Sequence, residues 1–318
     1  QTYLCIFVCK IEYVMDYKNI DPAKLVETLF TECPLELYDY LLRGTLTEVY
    51  TELKKTYKEG WTSYSSLLID KFAIHSSSFF HLSSGIIEHR KSGEQIRMNG
   101  YDLFTVNTTF RAIMETYATF HHLFVEPSIH EEKEFRFLLW KIDGLTEKSR
   151  FIVNEDDFAR AKTIIESDKH ILNNTISEFE SCKFYKSIEK NQLNKIYNPA
   201  KKHYRWRFLF SNKEITPLSI TALISHVFNT RAFINMYKYT SIHTHSNYYA
   251  IEEFDKIRGK TLSKEYTDPL TRLAIMTTVM LIDDICSMDD NAKLLVLPIP
   301  VIRFIKGMSH SIRNFDKN

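Results

Sequence analysis

Residues 103–125 read LFTVNTTFRAIMETYATFHHLFV, and the fold turns on this stretch. Asp102 stands before it as an N-cap, and Pro127 follows as a stop. At roughly 100° per residue, Phe110, Ile113, Met114, Tyr117, Phe120 and Phe124 cover much of the circumference. A helix apolar on several sides is buried. Asn107, Arg111, Glu115 and His122 fall within about one quadrant of the same projection, so this polar stripe is buried or lines a cleft. A buried arginine needs a counter-charge, and Glu115 is one turn away. The stripe is either a structural ion pair or a polar active-site stripe in the core of a bundle.

Working outward, the chain stays helical. Glycine and proline number only 8 each in 318 residues, too little punctuation for a strand-rich chain. A helix is expected over 22–43, with Asp21 as cap, Pro22 in the first turn, a kink at Pro34 and a stop at Gly44. Two more fill 45–89, split near Gly60. Further helices are expected over 131–142 (closed at Asp143-Gly144), 153–181, from Pro217, 230–243, 248–258, 269–286 and 291–313. The run 89–100 reads as a loop, and 190–216 as irregular with room for a short strand. The fold class is all-α, a multi-helix bundle of about eight to ten helices. An N-terminal helical arm (15–100) packs on a core domain (101–318), or the two form one continuous domain. Met15 opens MDYKNIDPAKLVETL like a natural start, so residues 1–14 are expected to be an upstream or non-native extension.

Composition narrows the function. Apolar residues at 44% and charged residues at 25% are ordinary for a soluble globular chain. A net charge of +1 argues against bulk attraction to nucleic acid or membrane, while leaving room for a local basic patch. The five cysteines lack CxxC spacing and read as reduced thiols of a cytoplasmic protein. The most apolar run, 273–286, is broken by Asp283 and Asp284 and falls short of the roughly 18 residues of a membrane span. Asp283, Asp284, Asp289 and Asp290 lack calcium-loop spacing and read as a solvated helix end.

Two other stretches carry candidate chemistry. YTSIHTHSNYYA (239–250) holds His243 and His245 two positions apart. On a helix such positions diverge by about 200°, so one faces the core while the other caps the helix or meets solvent. A zinc site needs three or four ligands, and no second cluster is apparent. As an acid or base, a neutral imidazole suits proton transfer near neutral pH. KKHYRWRFLF (201–210) interleaves Lys201, Lys202, Arg205 and Arg207 with His203, Tyr204, Trp206 and Phe208. It is either an exposed amphipathic connection or a strip that stacks on unpaired bases and meets phosphates.

RAIMET (111–116) together with YKYTSIHTHSNYY (237–249) resembles a family of all-helical bacterial proteins. These carry an R-x-x-x-E helix and, later, a Y-x-x-x-S-x-x-x-H segment followed by a small residue. Arg111, Glu115, Tyr237, Ser241, His245 and Ser246 match, and LSITALISHVF (218–228) fits the layout; the resemblance covers roughly residues 65–285. The family's core is similar to the HEPN group, many of whose members are metal-independent ribonucleases of toxin and anti-phage systems. The resemblance implies a HEPN-like core and a cytoplasmic endoribonuclease without metal or cofactor. It also implies RNA as substrate, a homodimer, an operon-encoded protein partner and no membrane. Arg111, Glu115, Ser241 and His245 would be catalytic. Asn107, His122, Tyr237, His243, Asn247 and the 201–207 strip would meet substrate. HEPN nucleases use an R-x4–6-H motif, and here the formal match is Arg303-x6-His310. The rival function is a non-catalytic helical sensor or scaffold.

Overall fold

Pro22 and Pro34 each bring a preset φ to the first turn of a helix, giving α1 (Pro22–Glu32) and α2 (Pro34–Tyr40). These open a computed structural model that describes residues 22–84, 87–89, 91–93, 95–97, 102–150, 159–245, 247–257, 264–296 and 307. Gly44 does not stop the chain. It lies in a π-helical stretch, Leu41–Leu46, that runs straight into α3 (Thr47–Thr56). A glycine stops a helix by turning left-handed, and Gly44 does not; α3 ends at its cap Tyr57, and Gly60, at φ +65°, opens a 3-10 turn before α4 (Ser63–Ser83). The expected loop holds a hairpin of β1 (Ile87–His89) and β2 (Gln95–Arg97), with Gly93 at φ +82° between them. In α5 (Leu103–Phe120) the first turn is capped as expected: Asp102 Oδ1 accepts from the Thr105 N–H at 3.0 Å. A π-helical turn, His121–Val125, follows it.

Asp143 and Gly144 lie inside α6 (His130–Ser149) rather than closing it. Next come α7 (Ala159–Ser181), α8 (Lys183–Ser187) and α9 (Lys190–Leu193). The irregular stretch resolves into two antiparallel hairpins. β3 (Tyr197–Asn198) pairs with β4 (His203–Tyr204), and β5 (Phe208–Ser211) with β6 (Glu214–Pro217). Their turns place Lys202, Asn212 and Lys213 at positive φ. Pro217 ends β6, and the helix begins later as α10 (Ile220–Phe228). The chain continues through α11 (Arg231–Thr244), α12 (Tyr248–Ile257), α13 (Lys264–Met288) and α14 (Asp290–Val296). The whole is an all-α helical bundle with a few short strands. Residues 1–14, Ser246, Arg303 and His310 lie outside the described residues.

The chain forms two compact units, Gln1–His121 with Ile224–Asn318, and His122–Leu223. In the first, α5 packs against both α4 and α11, and Tyr38, Phe72, Phe79, Phe110 and Tyr117 are buried. In the second, Phe135 gathers Phe179, Phe184 and Phe208 at ring separations of 4.7, 5.2 and 6.0 Å. Two aspartates of the supposed solvated helix end are in fact buried. Asp284 is 1% exposed, and its Oδ2 accepts from the Tyr117 hydroxyl at 2.8 Å, with His121 Nδ1 also at 2.8 Å. Asp289 caps α14, with Oδ1 accepting from the Asn291 and Ala292 N–H groups at 2.9 Å while Thr56 donates to Oδ2. Burial alone would raise the Asp289 pKa, but these donors hold it below the usual carboxylate value. Both carboxylates tolerate the interior because donors replace their lost water. Among the described residues no helix is long and apolar enough to cross a membrane.

Candidate functional site

R-x-x-x-E spacing sets Arg111 and Glu115 one turn apart on α5. Y-x-x-x-S-x-x-x-H spacing sets Tyr237, Ser241 and His245 on successive turns of α11 and its C-terminal cap. The two helices meet antiparallel. Thr108 approaches Thr244 at 3.4 Å, Arg111 reaches Ser241, and Glu115 reaches Tyr237. Arg111 donates from Nε to Glu115 Oε1 at 2.8 Å, from Nη1 to Ser241 Oγ at 2.7 Å, and from Nη2 to the Tyr237 hydroxyl at 3.1 Å. The Tyr237 hydroxyl donates onward to Glu115 Oε1 at 2.7 Å. The guanidinium also lies 5.0 Å from the Tyr237 ring centroid.

The electrostatics fix this set in one protonation state. Burial works against the Arg111 charge, but Glu115 and then Tyr237 outweigh it and raise its pKa. Burial, followed by Glu115, pushes the Tyr237 hydroxyl up to about 12, so it remains a donor at neutral pH. A guanidinium has five N–H donors. Three are taken here, and two are left. The Arg111 side chain keeps 19% of its surface exposed and Glu115 36%, so the network is not sealed.

His243 and His245 separate as their spacing requires. His245 is exposed at the end of α11, its N–H donating to the Ser241 carbonyl at 3.3 Å. The His243 ring is buried, 4.6 Å from the Tyr239 ring and 6.0 Å from Phe104. Its Nε2 sits 3.1 Å from Glu253 Oε2, at an angle that makes no hydrogen bond, and neither ring nitrogen has a hydrogen-bond partner. Burial lowers the His243 pKa against the opposing pull of Glu253. Asn247 is exposed and uses Oδ1 to accept from the Tyr249 N–H at 3.1 Å. Asn107 is fully buried and turns its Nδ2 back onto the Leu103 carbonyl at 2.8 Å, while its Oδ1 is buried without a hydrogen-bond partner.

His122 belongs to the second unit and to a different network, which spacing alone did not reveal. Arg136 is 2% exposed and donates from Nε and Nη2 to Glu132 Oε1 at 2.9 and 2.6 Å. Its Nη1 reaches Glu126 Oε2 at 2.9 Å, the His122 carbonyl at 3.0 Å and His122 Nδ1 at 2.8 Å. The guanidinium lies 4.9 Å from the Phe208 ring centroid. His122 Nδ1 also lies 2.8 Å from Glu126 Oε2, and Nε2 lies 3.2 Å from the Trp206 carbonyl oxygen, so Arg136 favours a bare Nδ1 while Glu126 favours a protonated one. Burial, then the Arg136 charge, pulls the His122 pKa down to about 4 despite Glu126. The E-x-x-x-R spacing of Glu132 and Arg136 on an apolar helix was the available signal.

The 201–210 strip is uneven. Lys201, Lys202 and Arg205 are exposed, and Arg205 Nε donates to His203 Nε2 at 2.6 Å. Trp206 is only 7% exposed, and the Arg207 guanidinium lies 4.9 Å from its ring centroid. Among the described residues no three His, Cys, Asp or Glu side chains gather as a metal site would need. Neither a protein-family model, nor a curated protein, nor a solved structure matched this chain.

Proposed function

We propose that the protein holds an RNA phosphodiester at the α5–α11 site and cleaves it there without a metal. The observation that carries this reading is the unspent capacity of Arg111. Three protein oxygens hold its guanidinium, two N–H donors remain, and part of the side chain is open. One turn beyond Ser241, His245 stands exposed at the helix end. In this account the free N–H groups of Arg111 donate to non-bridging phosphate oxygens. His245 removes the proton of the 2′-hydroxyl, the 2′-oxygen forms a bond to phosphorus, and the bond to the 5′-oxygen breaks. The leaving oxygen takes a proton from water. The products are a 2′,3′-cyclic phosphate and a 5′-hydroxyl. The HEPN resemblance supports the same reading and extends it to a homodimer controlled by an operon-encoded partner.

The test is purified protein with mixed cellular RNA in EDTA, with the fragment ends analysed. Fragments ending in cyclic phosphate, absent with His245→Ala and Arg111→Ala, support the proposal. An intact RNA population with well-folded protein counts against it. A second reading rests on Glu115, which neutralises Arg111, and on Tyr237, which is 2% exposed beneath it. There the same residues only clamp α5 to α11 in a non-catalytic module. That reading predicts lower stability for Arg111→Ala and no RNA phenotype for His245→Ala.

A further inference from the structure

We propose that the second unit carries a nucleotide-binding site, distinct from the α5–α11 site and argued independently of it. A part-open cavity of about 320 Å³ is bounded by Tyr204, Arg205, Trp206, Arg207, Asp143 and Ser219. Its volume reaches the lower end of the range typical of small-molecule sites.

Arg207 is the residue that asks for a ligand. Its guanidinium rests against the Trp206 indole, yet its Nε is buried with no hydrogen-bond partner. Among the described residues no ion pair closes on it. Asp143 shares the wall and feels the Arg207 charge without reaching contact distance. Burial raises the Asp143 pKa, and Arg207 opposes that rise. A buried donor left unmet is unfavourable, and an accepting ligand would recover that loss.

The mixture of groups selects the ligand class. Two arginines favour an anion with several acceptor oxygens. The carboxylate of Asp143 disfavours a bare anion and favours one that also brings N–H or O–H donors. The Trp206 indole and the Tyr204 ring, 7% and 8% exposed, wall the cavity, and the guanidinium plane offers a surface on which a flat ring stacks. A phosphate, a donor-bearing ring and ribose hydroxyls in one molecule describe a nucleotide. A free nucleotide and one unit of single-stranded RNA supply the same chemistry.

The experiment is calorimetric titration of the full chain with AMP, UMP, adenosine, inorganic phosphate and a short single-stranded oligoribonucleotide. A mononucleotide is expected to bind about tenfold or more tightly than adenosine or phosphate alone, since each supplies only part of the contacts. Arg207→Gln is expected to weaken nucleotide binding about tenfold through loss of a charge-assisted hydrogen bond. Arg205→Gln changes an exposed position that can be altered without disturbing the interior, and is expected to weaken binding about two- to fivefold. Tighter binding of the oligoribonucleotide than of AMP identifies an RNA chain as the source; equal or weaker binding identifies the free nucleotide. His245→Ala leaves the AMP and UMP affinities unchanged, and any gain of the oligoribonucleotide over AMP is lost in Arg207→Gln, which separates this site from the proposed cleavage site. Three results each overturn the proposal: no nucleotide binding at millimolar concentration, phosphate binding as tightly as AMP, or binding untouched in both arginine variants.

Discussion

Arg111 and Arg136 each lie on a helix one turn from a glutamate, Glu115 in the first unit and Glu132 in the second. Their surroundings differ in how much donor capacity is left. Arg136 is 2% exposed and directs all three nitrogens into Glu132, Glu126 and His122. Arg111 is 19% exposed on its side chain and spends one N–H on each of three partners. The same pair of residue types at the same spacing thus serves two ends. A sealed arginine with all three of its nitrogens engaged by protein acceptors holds a fold together. A half-open arginine with donors to spare can meet an outside anion. An i,i+4 ion pair read from sequence does not distinguish the two, because exposure is set by elements far along the chain.

The contrast can be broken most severely at Arg136. Arg136→Met leaves Glu126 and Glu132 without their cation in a low-dielectric site, and a loss of about 3–5 kcal/mol is expected in denaturant unfolding. A loss below about 1 kcal/mol would show that the network is not a keystone of the second unit. His122 gives the next largest effect. Its pKa is about 4 in the folded protein and near the ordinary histidine value of about 6.5 when unfolded. Above the unfolded value both states are neutral and the group is silent. As pH falls from there toward the folded value, the unfolded chain takes up a proton that the native site refuses. Stability therefore drops, by on the order of 3 kcal/mol in full. His122→Phe removes this titration, so its stability should fall less steeply between these pH limits than that of the parent.

Arg111→Ala sharpens the comparison from the other side. With solvent able to reach Glu115, the expected loss is only about 1–2 kcal/mol in thermal or chemical unfolding. A loss as large as that of Arg136→Met would make the two sites alike and favour the clamp. His245→Ala, at an exposed helix end, should change stability by no more than about 0.5 kcal/mol.

What was legible in the sequence was local. The Asp102 cap, the apolar girth of α5 and the Arg111–Glu115 pair all follow from spacings within a turn or two. The split of His243 and His245 into one buried and one exposed ring follows from the same geometry. Contacts between distant residues were not legible. Asp284 is buried against Tyr117, and Asp289 against Thr56, and nothing near those aspartates in the chain announces it. Asn107 lies on the predicted stripe but toward the interior, because α4 and α11 together cover more of α5 than one quadrant argument allows. The hairpins between 197 and 217 escaped notice because Lys202, Asn212 and Lys213, rather than glycine, adopt the left-handed turns. Gly44 misled in the opposite direction, since its backbone stays helical through a π-helical stretch.

The most direct test of the central claim is the rate of single-stranded RNA cleavage in EDTA by His245→Ala beside the parent, with their melting temperatures matched. The proposed chemistry predicts cleavage by the parent and a loss of at least about a hundredfold in the variant, the scale of a positioned general base, with unchanged stability. Cleavage that survives the substitution, or a parent that leaves RNA intact while holding the same fold, would contradict it.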